Sequence, residues 1–329
     1  MLSSLYAAIA RRRRERYASR PDLRQRLRNP VISIGNLAVG GRGKTPLAAT
    51  VARMLLEMGE KPAILSRGYG RARRTKDVVI VRDAREIRAG LDVSGDEPMM
   101  LARQLPGVVV LTCPNRYRAG VLAETELGAT VHVLDDGFQH LQLDRDLDLV
   151  IVGREDVERP LTLPGGRLRE PLDTLVAADA VLTQDEDVVV ESPGLDLPVY
   201  RLIRSTPADR GIAAEAAAGQ PVLALAGIAA PQRFFDDLRG AGWNVVKTME
   251  FRDHHRYDAE DLVFIAGTAG GAGAELILTT EKDYVRLLPL EPWPLPIDFV
   301  PIELRPEPFD EFRAWIASEL LTIRGQAGG

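Results

Sequence analysis

No stretch of about 18 consecutive apolar residues occurs in the chain, so none of its 329 residues reads as part of a bilayer-spanning helix. A single cysteine, Cys113, excludes an internal disulfide, suits a reducing compartment and reads as a small buried residue. The four histidines, His132, His140, His254 and His255, make no His-Glu-x-x-His pattern. With one cysteine beside them, a structural zinc site is disfavoured and magnesium is the expected metal. There is no internal repeat. What the chain has is ordinary for a globular protein, with 45% hydrophobic and 27% charged residues. Its length exceeds the roughly 100–200 residues usual for one domain, so two packed domains are expected.

The net charge of −5 hides an asymmetry. Residues 1–30 carry nine arginines against Glu15 and Asp22, a local +7, which leaves −12 for the remainder. Met1, Leu2, Leu5, Tyr6 and Ile9 make an apolar start, and Arg11, Arg12, Arg13, Arg14, Arg16, Arg20, Arg24, Arg26 and Arg28 follow at helix-compatible density. That pattern suits an interfacial arm, with apolar side chains in the acyl boundary and guanidinium groups on anionic headgroups. A signal peptide has the reverse order, basic residues before the apolar run. A solvated basic helix packed on the domain is the alternative. Nucleic-acid binding is disfavoured, because the acidic remainder repels phosphate backbones.

From residue 31 short apolar runs alternate with amphipathic stretches, the pattern of βα units and a mostly parallel sheet. Strands are expected at 31–35, 62–66, 78–81, 108–112, 131–135, 147–152 and 180–183, with helices at 46–58, 97–104 and 116–127. Residues 185–206, rich in Asp, Glu, Pro and Ser around a strand-like 199–203, read as an interdomain connection. A second α/β block follows, with strands at 221–226, 244–248, 276–279 and 299–302 and helices at 231–239, 259–266 and 309–321. The expected architecture is α/β: a P-loop NTPase-like, mostly parallel sheet with helices on both faces, plus a smaller α/β C-terminal domain. The expected divisions are an arm at 1–30, a core at 31–205 and a second domain at 206–329.

The strongest chemical signal is Val31-Ile-Ser-Ile-Gly-Asn-Leu-Ala-Val-Gly-Gly-Arg-Gly-Lys-Thr45, a strand running into a Gly-rich loop and then a helix. Gly40, Gly41 and Gly43 let backbone N–H groups turn toward phosphate oxygens, Lys44 reaches the β/γ-phosphates, and Thr45 offers a hydroxyl to Mg²⁺. Asn36, Leu37, Ala38, Val39 and Arg42 complete that nucleotide-binding loop, with Ala38 where the usual pattern has Gly. ATP and Mg²⁺ are the expected cofactors. Val131-His-Val-Leu-Asp-Asp136 reads as the acidic strand end that holds the Mg²⁺ shell. Adjacent Asp135 and Asp136 face opposite ways on a strand, one for the metal and one for Lys44 or a neighbouring loop.

Three further clusters stand out. Arg67 and Arg71 in Ser66-Arg-Gly-Tyr-Gly-Arg71 suit a phosphate or an anionic headgroup. Asp96 in Gly95-Asp-Glu-Pro98 is an N-cap or a site residue at a strand-end face. Arg167, Arg169 and Glu170 in Leu163-Pro-Gly-Gly-Arg-Leu-Arg-Glu-Pro171 suit a charge clamp near a transferring phosphoryl group. In the second block, Phe251-Arg-Asp-His-His-Arg-Tyr257 concentrates groups able to accept a hydroxyl proton, unless it is a surface loop with an N-capping aspartate. Thr279-Thr-Glu-Lys-Asp283 lacks the Lys-x-Asp spacing of guanine-specific proteins, so GTP is not implied.

Taken in order, these motifs, with Asp135-Asp-Gly-Phe-Gln-His-Leu141, resemble the tetraacyldisaccharide 4′-kinase family of lipid A biosynthesis and span most of the chain. The resemblance implies transfer of the ATP γ-phosphoryl group to the 4′-hydroxyl of an acylated glucosamine disaccharide 1-phosphate. It further implies lipid IV(A) as product, at the cytoplasmic face of the bacterial inner membrane. By the family pattern Asp96 and His254 form the dyad that activates the hydroxyl, with His255 in reserve. Asp135 and Asp136 organise Mg²⁺, Arg169 and Glu170 support the nucleotide, and Arg116 joins Arg67 and Arg71 as a candidate for the acceptor. Ala38 and Arg42 stand where the family commonly has Thr. With the base in the second block and the P-loop in the first, a hinge near 185–206 is expected. No obligate protein partner is inferred. The rival reading is a membrane-recruited P-loop ATPase that regulates a protein partner.

Overall fold

A computed structural model describes residues 2–73, 75–185, 197–206, 211 and 219–327. Strand β1 (Val31–Asn36) lies at the centre of the larger sheet, every residue buried, between parallel neighbours β5 (Val131–Asp135) and β6 (Leu147–Ile151). On one side β2 (Pro62–Ser66) and β4 (Val109–Thr112) continue in parallel, and antiparallel β3 (Val79–Arg82) closes the edge. On the other, β7 (Ala180–Thr183) and β8 (Val199–Ser205) continue in parallel, and β13 (Glu303–Glu307) pairs antiparallel with β8. The order is β13-β8-β7-β6-β1-β5-β2-β4-β3.

Both faces of this sheet are covered, which is why its strands read as continuous apolar runs. Ile32 and Ile34 point to a core built with α2 (Lys44–Glu57), α4 (Asp96–Gln104) and α10 (Phe309–Ala327). Val31, of opposite parity, joins Leu65 and Leu111 against α5 (Arg116–Thr125). In α2, Leu47, Val51, Met54 and Leu55 are buried, each worth about 1.5–3 kcal/mol relative to exposure. The smaller sheet is wholly parallel and ordered β10-β9-β11-β12, from β9 (Pro221–Ala226), β10 (Asn244–Glu250), β11 (Leu276–Thr280) and β12 (Ile297–Val300). One face takes Phe234, Phe235 and Leu238 of α7 (Pro231–Gly240). The other takes α8 (Ala259–Gly271) and Leu287 of α9 (Glu281–Leu287).

The expected mostly parallel α/β architecture with helices on both faces is what the chain adopts. Its last stretch departs from the division expected at residue 206. After β12 the chain returns to the larger sheet: β13 becomes its edge, and Phe312, Ile316 and Leu320 of α10 enter the α2 core, Phe312 edge-on to Tyr200 at 4.9 Å. Glu-Leu-Arg-Pro-Glu is a weak strand signal, with Pro306 tolerable only because an edge needs fewer ladder donors. The 199–203 run, read as part of a connection, lies in β8, and of the strand expected at 299–302 only the first two residues are in a strand, the end of β12, the other two joining it to β13. Residues 186–196 of the expected hinge, and most of the Ala/Gly-rich 213–219 segment, lie outside the described residues.

The arm forms α1 (Leu2–Ser19), in which Leu2, Leu5 and Ile9 are about 60–70% exposed and only Ala7 is buried. Its first turn lies against the 161–173 loop, where Thr162 donates to the Ser3 carbonyl (2.7 Å) and the Gly165 N–H to Ser3 Oγ (3.0 Å). Among the described residues no helix is long and apolar enough to cross a membrane.

Candidate active site

The carboxyl ends of β1, β2, β5, β9 and β11 all open onto one cleft of about 620 Å³ between the two sheets, the usual place for ligands in open α/β sheets. The loop after β1 turns at Gly40 (φ 104°) and Gly43 (φ 83°), left-handed positions that a side chain strains. Gly43 then caps α2, so Lys44 and Thr45 stand on its first turn. Lys44 Nζ donates to Asn36 Oδ1 (3.1 Å) and the Gly40 carbonyl (3.4 Å), and lies 3.6 Å from Asp136. Leu37 and Ala38 are core residues, and the Leu37 carbonyl and the Val39 N–H are engaged by Arg169 and Arg167 backbone. The Arg42 guanidinium is turned away, onto Asp156 at 2.7 Å.

Asp135 and Asp136 divide the work left open by the sequence. Thr45 Oγ1 stands 3.4 Å from both Asp135 oxygens, whereas Asp136 accepts both Arg169 nitrogens (3.0 and 2.8 Å). The difference comes from Asp136 adopting φ 55°, rare for a side chain larger than Gly, which swings it off the strand toward Arg169. Burial, then the charges of Glu97 and Asp136, push the Asp135 carboxyl well above the usual range. Burial acts the same way on Asp136, but Arg169 and Lys44 outweigh it and bring that carboxyl down to about 2. Among the described residues no cluster of three or more His, Cys, Asp or Glu side chains is arranged around a metal. One carboxylate facing one hydroxyl at the P-loop is the sparse oxygen set of a Mg²⁺ that shares its shell with phosphates and water, so these residues fit that ion. Arg169 Nε and Asn36 Nδ2, beside the same loop, are buried with no protein partner.

Across the cleft, His254 Nδ1 lies 2.9 Å from Asp96 Oδ2. Asp96 opens α4 of the larger sheet and His254 follows β10 of the smaller, so the pair spans both halves of the molecule. His254 also sits at positive φ (57°), edge-on to Tyr69 at 5.1 Å. Burial, the largest influence on Asp96, pushes its carboxyl up. The His254 hydrogen bond and the Lys282 and Arg286 charges overcome it and hold Asp96 well below the usual range. An ionised Asp96 only accepts, so Nδ1 carries a proton, and the Lys282 ammonium, 3.2 Å from Nε2, is placed to donate to that nitrogen. His255 is committed elsewhere, 2.8 Å from Asp261 and stacked on Phe251.

The profile of the family described as tetraacyldisaccharide-1-P 4′-kinase matches residues 1–321. The chain belongs to this family. It is 40% identical over 310 residues to the tetraacyldisaccharide 4′-kinase of Syntrophus aciditrophicus, covering 86% of this chain and 82% of that one. The Anaeromyxobacter sp. protein of the same name is 43% identical over 282 residues, 79% and 74% of the two chains. Among solved structures, LpxK from Aquifex aeolicus in complex with ATP superposes with a TM-score of 0.81 at 29% identity, covering 97% of each chain.

Within this member of the 4′-kinase family, the other expected residues separate. Arg67 lines the cleft, and Arg116 is buried near it, its guanidinium lowered to about 10 by burial and by Arg67. Arg71 does not reach into the cleft: its guanidinium donates to the Gly68 (2.9 Å) and Arg67 (2.5 Å) carbonyls and holds its own loop. Glu170, expected beside Arg169 at the nucleotide, faces the other way. It is buried against Arg14 of α1 (2.5 Å), whose guanidinium stacks on Phe138 at 4.1 Å. The chain bends at these two residues, so Arg169 faces Asp136 in the cleft and Glu170 faces Arg14 of the arm.

Burial alone pushes the Glu170 carboxyl up, and Arg14 opposes it. Arg14→Ala is therefore expected to cost about 3–5 kcal/mol by stranding a buried charge. The urea midpoint, at unchanged m-value, measures it; a loss below about 1 kcal/mol would mean the pair behaves as an exposed one. Sequence reasoning missed Lys282, Glu97 and Arg286. Lys282 was within the Thr-Thr-Glu-Lys-Asp motif, and the dense charge of Glu281-Lys-Asp-Tyr-Val-Arg286 straight after the buried strand β11 was the available signal.

Proposed function

We propose that this protein transfers the γ-phosphoryl group of ATP, with Mg²⁺, to the 4′-hydroxyl of a tetraacylated glucosamine disaccharide 1-phosphate. The product is lipid IV(A), formed at the cytoplasmic face of the inner membrane. The observation that carries the reading is the His254–Asp96 pair facing the P-loop across a single cleft.

Lys44 and the glycine N–H groups neutralise charge on the phosphates, and the loop turns at Gly40 and Gly43 aim those donors inward. Asp135 and Thr45 would hold Mg²⁺, which would supply charge neutralisation to the phosphates. Asp136 keeps Arg169 and Lys44 in register at the same end. His254 Nε2 takes the proton from the attacking hydroxyl while Asp96 fixes its tautomer. Lys282 lies where it can leave Nε2 and follow the phosphoryl charge. Arg67 and Arg116 supply positive charge for the acceptor's phosphate.

Transfer of labelled γ-phosphate to the lipid acceptor in mixed micelles tests the reading. Labelled lipid from the wild type supports it; normal ATP binding with no labelled lipid rejects it in favour of a regulatory ATPase.

The exposed Leu2, Leu5 and Ile9 of α1 support membrane contact through the arm, since each apolar side chain leaving water contributes about 1.5–3 kcal/mol. The variant Leu5→Ser with Ile9→Ser is expected to lose at least tenfold in partitioning to anionic vesicles while its ATP binding stays intact. Equal sedimentation of the two proteins would reduce α1 to a solvated helix.

A further inference from the structure

The hydrogen bond from His254 is one of two hydrogen-bonded bridges that the smaller-sheet half makes to Asp96. The second is Arg286 of α9, whose side chain is 5% exposed. Its Nε donates to Asp96 Oδ2 at 2.9 Å and its Nη2 donates to the same oxygen. Behind the guanidinium, Nη1 donates to Asp283 Oδ1 and to the Gly227 carbonyl, both at 2.8 Å. Asp283 is itself completely buried and saturated. It accepts from the Gly227 N–H (2.9 Å), Thr280 Oγ1 (2.7 Å) and the Tyr257 hydroxyl (3.0 Å). The remaining Asp96 oxygen accepts the Glu97 N–H at 2.9 Å.

We infer that Arg286, braced by Asp283, is a positioning residue for phosphoryl transfer: it clamps the Asp96 carboxylate across the two halves of the molecule and keeps it an orienter of His254. The inference rests on Asp96 and His254 being the dyad. A planar fork fixed at its back by a carboxylate and a carbonyl sets both the position and the plane of the carboxylate it grips, which a flexible ammonium cannot do. Oδ2 thus has its place set from the rear, independently of His254. The same contact decides the chemistry of the pair. A guanidinium on Oδ2 disfavours proton transfer to Asp96, so the proton taken from an acceptor hydroxyl rests on His254 Nε2 and Asp96 answers with charge alone.

The charged and titratable groups facing the pair are Glu97 on α4, Lys282 and Asp283 on α9, Asp253 beside His254, Tyr69 on the loop after β2, and Tyr257 just before α8. Lys282 is the cation left near Asp96 when Arg286 is removed, 3.9 Å away. The sign follows directly. Loss of a cation from beside a carboxylate makes its protonated form easier to reach, so Asp96 titrates at higher pH without Arg286. A protonated Asp96 no longer holds the Nδ1–H tautomer, so the pH at which that hold is lost moves upward with it.

The test compares wild type, Arg286→Lys and Arg286→Ala. Arg286→Ala is expected to lose about 10–100-fold in kcat, the range for a removed outer partner, with KM for ATP within about threefold. Added guanidinium restores part of that activity, and does not restore His254→Ala. Arg286→Lys falls between wild type and Arg286→Ala. Independently of any acceptor, the Asp96 carboxyl carbon, followed by ¹³C NMR, titrates at higher pH in Arg286→Ala than in wild type. A folded Arg286→Ala with wild-type kcat, or one whose loss is matched by a lowered melting midpoint with no guanidinium rescue and an unmoved Asp96 titration, overturns the inference. A wild type inactive on the lipid acceptor overturns the dyad's assigned reaction instead, and the carbon titration still decides whether Arg286 controls Asp96.

Discussion

His254→Ala is expected to lower kcat for phosphorylation of the lipid acceptor by about 10²–10⁴-fold, the range for loss of a positioned general base, with KM for ATP changed by less than about threefold. The split follows from where His254 stands. It touches Asp96, Lys282, Arg286 and the edge of Tyr69, and neither Lys44 nor Thr45 depends on it for a hydrogen bond. Nucleotide binding at the P-loop therefore survives while the hydroxyl loses its proton acceptor. Asp96→Asn should approach the same loss by a different route. The amide can donate where the carboxylate only accepted, so the Nδ1–H tautomer is no longer enforced and Arg286 faces a neutral partner. Initial rates against ATP at saturating acceptor separate the two parameters. A His254→Ala enzyme with wild-type kcat and a raised KM for ATP would make His254 a nucleotide contact and leave the base unassigned.

The strands of the larger sheet and the P-loop were legible because each rests on local chemistry. A strand buried on both faces must be apolar throughout, and a loop that turns its N–H groups inward must carry glycine at left-handed positions. β13 and α10 were not legible as parts of that sheet. Their pairing is set by β8, about a hundred residues upstream, and nothing in Glu-Leu-Arg-Pro-Glu says which edge it will join. The site shows the same division. Lys44, Thr45, Asp135 and Asp136 could be grouped from strand-end spacing, whereas Arg286 could not, because its meaning lies in Asp96, 190 positions away. Glu170 was misdirected for a reason one residue wide. The segment that carries Arg169 into the cleft turns its successor toward α1, and sequence adjacency had suggested one shared task.

Lys44→Ala is expected to damage both parameters at once, in contrast to His254→Ala. Lys44 is held by Asn36 Oδ1 and the Gly40 carbonyl with its ammonium 3.6 Å from Asp136, poised at the end of the loop rather than locked into a buried pair. Its removal costs little fold stability, since Asp136 keeps both bonds from Arg169 and Gly43 still starts α2. What is lost is a cation facing the phosphates in the ground state and again when charge spreads over the transferring group. Removing one such donor costs about 10²–10³-fold in kcat, and weaker nucleotide binding adds a rise in KM for ATP. Because Lys44 and His254 act on opposite ends of one in-line displacement, the double variant should lose less than the product of the single losses. Labelled-phosphate transfer by all four proteins measures this. A Lys44→Ala enzyme with unchanged KM for ATP and near-normal kcat would remove the loop from phosphate binding and, with it, the reading of the whole cleft.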